Sequence, residues 1–208
     1  MGIPAVELTP KVRDAIMTLM GEVDRLRREL DQMQSRLREV EEVADRDPLV
    51  PVLNRRAFVR ELSRVISYAR RYNEPAAMVY IDMDGFKQVN EAHGHAGGDA
   101  ALHHVARLLA ENIRESDRVG RLGGDEFGVI LSRADEALAA QKASMLVNLI
   151  RSEPFEFEGS PISLNASAGS ISFHPEEDPD AALARADKAM FSAKRAEPET
   201  PGKAGRKR

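Results

Sequence analysis

The sequence predicts an α/β fold, an α+β sandwich with helices packed against a central mixed sheet, preceded by one long coiled-coil helix. Three observations carry this. The first 57 positions hold no aromatic residue, while all ten aromatics lie between Phe58 and Phe191. The aromatic-free stretch has its apolar residues at alternating spacings of four and three, the period of a coiled coil. The remainder alternates helical spacing with short apolar runs in strand, helix, strand, strand, helix, strand order, as in layered α+β domains. Composition agrees: of 208 residues, 42% are hydrophobic and 31% charged, with a net charge of −4. That profile is far from the one that leaves chains disordered.

The heptads come first. Ile16, Val23, Leu30 and Leu37 fall at a, and Leu19, Leu26 and Met33 at d, with Val12 and Val40 extending the register. Branched residues at a with Leu at d favour two parallel strands. Glu22 at g is expected to face Arg27 at e of a partner chain, and Arg36 to face Glu41 with the signs exchanged. Residues 1–46 are therefore read as a dimerising helix. Asp47-Pro48 and Pro51 break it.

Helical spacing returns over 54–71 through Phe58, Leu62, Val65 and Ile66, and Ala76–Ile81 is an apolar run suited to a buried strand. A helix is expected over about 97–113, a strand, Gly-Gly turn and strand over 118–131, and a helix over 134–152. Short strands near 154–158 and 162–173 and a helix over 180–195 complete the domain at 47–195. The remainder, 196–208, rich in Pro, Gly, Lys and Arg, is read as a disordered basic tail.

No cysteine occurs, so disulfides and thiolate-bound metals are excluded and a cytoplasmic setting is expected. No apolar run approaches the ~18 residues of a membrane span. The mild acidity argues against nucleic acid as a partner.

Two carboxylate clusters close two strands. Asp82-Met83-Asp84-Gly85 follows the run ending at Ile81, and Gly123-Gly124-Asp125-Glu126 lies between two strand-like segments. Strand alternation puts Asp82 and Asp84 on one face and Met83 in the packing. Hard oxygen ligands from two segments, with no His or Cys beside them, suit Mg²⁺ or Mn²⁺, two ions per site, acting on phosphates. Acidic turns that are simply solvated are the plain alternative. Lys87 is placed to reach a phosphate; Asn90 and Asp99 can read a base edge, although Asp99 also suits a helix N-cap. His93, His95, His103 and His104 lack the spacing of a zinc site and are taken as structural.

The string Arg121-Leu122-Gly123-Gly124-Asp125-Glu126-Phe127 resembles the signature of the GGDEF domain, the diguanylate cyclase family. The likeness extends through Asp82-Met83-Asp84-Gly85-Phe86-Lys87-Gln88-Val89-Asn90, Gly94-His95, Gly98-Asp99 and Ala186–Lys194, and back to Asp47-Pro48-Leu49 and Leu53–Phe58. It implies a nucleotidyl-cyclase or palm-like fold with a mainly antiparallel sheet, and condensation of two GTP into cyclic di-GMP between two facing domains. By position, it assigns metal binding to Asp82, Glu126, Asp125 and the Met83 carbonyl, with Asp125 as candidate base for the 3′-hydroxyl. It assigns GTP contacts to Phe86, Lys87, Asn90, Asp99, Gly123, Gly124 and Lys194, and product inhibition by cyclic di-GMP to Arg114 and Asp117 of an Arg-x-x-Asp tetrad. Val50-Pro51 stands where members carry Thr-Gly, which is expected to stiffen the joint. Lys194 runs into Arg195-Ala196-Glu197 rather than Gly-Arg-Asn, so that phosphate contact is expected to be either lost or taken over by Arg195. The competing expectations are a GTP or cyclic di-GMP receptor without turnover, which fits poorly with three intact acidic positions, and a purely structural dimeriser.

Overall fold

A computed structural model describes residues 9–174 and 176–196, and the chain divides into two compact units, Met1–Ala44 and Asp45–Arg208. In the first unit the expected helix is continuous. Helix α1 spans Pro10–Asp45, 36 residues, which at 1.5 Å per residue is about 54 Å. Its heptad positions Val12, Leu19, Val23, Leu26, Leu30 and Met33 are 43–70% exposed. Within this helix Glu22 pairs with Arg25. The side chains of Leu37, Val40 and Glu41 lie outside the described residues.

The second unit is built on a four-stranded sheet in the order β2-β3-β1-β6, with β1 Ala76–Asp84, β2 Arg118–Arg121, β3 Glu126–Ser132 and β6 Asn165–Ser172. All three ladders are antiparallel; among the described residues the parallel component shrinks to a single bridge, Leu53 to Gly120. A hairpin of β4 Phe155–Phe157 and β5 Ser160–Ile162 stands apart from it. Its turn residues Glu158 and Gly159 both have positive φ, 51° and 75°, as the tightest hairpin turns require. The strand expected over 162–173 is thus the end of β5 and all of β6.

Strand alternation splits the core by face. Ala77, Val79, Ile81 and Met83 of β1, with Phe127 and Val129 of β3, pack against helices α3 (Phe86–Glu111) and α4 (Glu136–Ser152). Met78 and Tyr80, with Ile130, pack against α2 (Arg55–Tyr72) and α5 (Pro179–Ala196). Asn54 caps α2 by accepting from Ala57 N, and Asp135 caps α4 by accepting from Leu138 N. Helix α5 includes Ala196, and the tail from 197 onward lies outside the described residues.

Three close contacts set the layer spacing. Gly120 and Gly128 are cross-strand partners, and Cβ atoms there would stand 2.7 and 2.5 Å from the Phe58 ring. A Cβ on Gly169 would stand 2.0 Å from the backbone nitrogen of Met190, so α5 rests directly on β6.

One helix differs from expectation. α3 starts at Phe86, not near 97, and is broken at Gly94, with φ 68° and ψ 178°. Asp99 therefore sits inside a helix and is not its N-cap. The break allows close approach: Cβ atoms on Gly97 and Gly98 would meet His93 at 2.4 Å and Asn90 at 2.1 Å.

Candidate active site

The two acidic clusters meet at one end of the sheet. Asp82 on β1 and Glu126 on β3 are direct cross-strand partners, which places their Cβ atoms about 4.5–5.5 Å apart on one face. The Met83 amide donates to the Asp125 carbonyl at 3.1 Å, tying the end of β1 to the turn before β3. The amides of Leu122 and Gly123 donate to the Glu126 carbonyl at 2.8 and 3.4 Å and close that turn. Met83's side chain is buried in the α3/α4 core, as alternation predicts.

Lys194, reaching from α5, pairs with Asp82 and lies 3.0 Å from Asp84 Oδ1. Partial burial works against its charge, but the hydrogen bonds and charges of Asp82 and Asp84 outweigh that and raise its pKa. Ser167, opposite Asp82 on β6, donates to Asp84 with 3.0 Å to either carboxylate oxygen. Burial, then the charge of Asp82, raises the pKa of Asp125 above 3.8. Tyr80 is pushed well above the ordinary phenol range by burial first, then by the Glu126 charge and a hydrogen bond to it.

Among the described residues no group of three or more His, Cys, Asp or Glu side chains is gathered closely enough to hold a metal. The donor set still fits a hard cation. Asp82 and Glu126 face each other, and the Lys194 ammonium already supplies positive charge to the carboxylates at that end.

Other predicted residues are spread more widely. Lys87 is exposed in the first turn of α3 and lies 3.6 Å from Glu91. Phe86 packs partly buried against the core. Asn90 lies against Gly98, the residue before Asp99, so the two base-reading candidates are neighbours across the break in α3. Gly123 is occupied from within: a Cβ there would stand 2.1 Å from a Glu126 carboxylate oxygen, whereas Gly124 has nothing within 4 Å. Arg195 lies with its guanidinium 5.9 Å from the centre of the Phe191 ring.

Asp117 is 5% exposed and its carboxylate is largely committed. It accepts from the amides of Arg114 and Ser132 at 3.1 Å each, and from Ser116 Oγ at 3.4 Å. Arg114 is exposed and borders two cavities. One, of about 600 Å³, is lined also by Arg64, Tyr68, Glu74 and Arg133; the other, of about 210 Å³, also by Asp117, Lys142 and Met145. The sequence alone does not single out Tyr80 or Ser167. Period-two alternation places Tyr80 with Asp82, but Ser167 needs the β1–β6 register.

The model of the family described as "Diguanylate cyclase, GGDEF domain" matches residues 44–200. The chain belongs to the GGDEF family. This GGDEF chain is 36% identical over 194 residues to diguanylate cyclase TpbB of Pseudomonas aeruginosa, covering 89% of the chain and 44% of that protein. It spans less than half the length of such curated relatives. A crystal structure of a sensory box/GGDEF family protein from Caulobacter crescentus is 33% identical with a TM-score of 0.69, over 74% of this chain and 99% of that one. The GGDEF domain of DgcB from Caulobacter crescentus, solved with c-di-GMP, is 26% identical with a TM-score of 0.70, over 73% of this chain and 88% of that one. Among the described residues no helix is long and apolar enough to cross a membrane.

Proposed function

We propose that the chain is a diguanylate cyclase, joining two GTP into cyclic di-GMP with release of two pyrophosphates across a homodimer paired through α1. The observation that carries this is the opposition of Asp82 and Glu126 at the strand ends, with Asp125 tied to the same point through Met83. Each domain holds one GTP. The 3′-oxygen of one nucleotide forms a bond to the α-phosphorus of the other, the bond to the leaving pyrophosphate breaks, and the 3′-hydroxyl proton passes to a base. Asp125, on the turn tied to Met83, is the proposed acceptor.

Asp82, Glu126 and the Met83 carbonyl, with Asp125, would hold two Mg²⁺ or Mn²⁺. Bound there, divalent ions supply charge stabilisation to the α-phosphate and lower the pKa of the attacking hydroxyl. Lys194 is then free to leave Asp82 and Asp84 and pair with the triphosphate, with Lys87 serving the same end from α3. Asn90 and Asp99 accept from the guanine edge, and Phe86 supports the turn beneath them. Gly124, with nothing within 4 Å of the position a Cβ would take, leaves that side of the backbone open to the nucleotide.

Arg114 with Asp117 forms the product site. Asp117 fixes the loop while the exposed Arg114 guanidinium meets phosphate or guanine. Incubation with GTP and Mg²⁺, followed by chromatography, tests the activity. An Arg114→Ala variant that stays as product-sensitive as the parent would remove the inhibitory site.

A further inference from the structure

We propose that Arg121 is a positioning residue for the acidic turn, and that Asp47, in the segment joining α1 to α2, sets its aim. Arg121 ends β2, and its side chain is 16% exposed. Its Nε and Nη2 both donate to the Gly124 carbonyl, at 3.2 and 2.6 Å. Its Nη1 donates to Asp47 Oδ1 at 3.3 Å, and the Asp47 side chain is 12% exposed. The guanidinium fork thus spans two segments 74 residues apart.

The Gly124 carbonyl shares a rigid peptide plane with the Asp125 amide. Holding that oxygen fixes the plane from which Asp125 and Glu126 project. Nothing packs within 4 Å of the Gly124 Cβ position, so van der Waals contact does not hold the turn at that point. Arg55 Nη1 donates to the Leu122 carbonyl at 3.0 Å on the other side of the Gly-Gly pair. Besides the main-chain bonds that close it, the turn is therefore held from outside by hydrogen bonds from Arg55 and Arg121 on either side of the Gly-Gly pair.

Asp47 is itself firmly seated. Its Oδ1 accepts from the amides of Leu49 and Val50, at 3.0 and 3.1 Å, and its amide donates to the Val52 carbonyl at 2.9 Å. The Arg121 amide donates to the Leu53 carbonyl at 2.8 Å. Side chain and main chain of Arg121 both report on the same nine-residue stretch that follows α1, where Val50 and Val52 are buried. Movement of the joint is transmitted to the peptide plane before Asp125.

The reaction consequence rests on the cyclase reading, so two readouts are needed. Asp47→Asn keeps an oxygen for the Leu49 and Val50 amides but loses the charge that orients the guanidinium. Arg121→Lys keeps the charge but not the fork. Each is expected to lower kcat about tenfold with the KM for GTP within about twofold, as expected of a group that aligns the reacting atoms. The double variant is expected to be within about twofold of Arg121→Lys alone, because the two act through one latch. Amide exchange at 123–126 is expected to rise about tenfold while the β1 and β3 core amides stay at the parent rate. Parent-like kcat in an active background, multiplied losses in the double variant, or faster exchange throughout the domain would each overturn the proposal. A parent that makes no cyclic di-GMP would remove the cyclase reading, and the local exchange result then decides this one by itself.

Discussion

Gly123 and Gly124 stand side by side but answer different demands. Gly123 is bare because the Glu126 carboxylate fills the space a methyl would take, 2.1 Å from the Cβ position; at Gly124 the Cβ position has nothing within 4 Å. Gly123→Ala is expected to displace Glu126 in the free protein, raising the Mg²⁺ concentration needed for half-maximal rate by about tenfold, a loss near 1.4 kcal/mol. Gly124→Ala should leave the melting temperature of the free protein unchanged and appear only as weaker GTP binding by calorimetry. Asp125 gives a pH-dependent signature. Its folded pKa lies above 3.8, through burial and then the Asp82 charge, so the fold favours the protonated form. That contribution is fully present below the ordinary value and is lost as pH rises through the folded one. Asp125→Asn is therefore expected to melt higher than the parent at neutral pH, with the difference shrinking as pH falls toward 3.8. Thermal scans across pH check the sign.

Among the elements, α5 packs on β6 with no room for a side chain at Gly169. The Met190 nitrogen 2.0 Å from the Gly169 Cβ position belongs to a helix backbone and cannot swing away. Gly169→Ala is expected to cost about 1–3 kcal/mol or more, read as a lower urea midpoint with the slope unchanged. Nothing in the local sequence around Gly169 announces this, because the neighbour is 21 positions on. Local signals did suffice where the pattern is strong. The run Ala76–Ile81 located β1, and the acidic residues directly after it fall at the strand end that forms the candidate site. The start of α3 was hidden because Gly85, Gly94, Gly97 and Gly98 surround it and glycine disfavours helix. Packing wins there: the bare Gly98 receives Asn90, and the helix begins at Phe86 as two segments joined at Gly94. Asp117 shows the same limit, since its bond to the Ser132 amide spans 15 positions. The pairing of Lys194 with Asp82, across 112 positions, is beyond any spacing argument.

For the whole molecule, the proposed reaction would place one requirement on the exposed heptad stripe and the paired acidic ends, that two domains act on two nucleotides. Leu26 and Leu30 are 53% and 55% exposed in the single chain. Burial of an unpaired charge between two such helices is costly, so Leu26→Glu is expected to give a monomer by light scattering at about tens of micromolar. Its rate per chain should fall and recover as protein concentration is raised. The most direct test of the account is product analysis of the parent protein with GTP and Mg²⁺. Cyclic di-GMP and pyrophosphate appearing together in a one-to-two ratio is the predicted result. Measurable GTP binding with neither product at high protein concentration would contradict it.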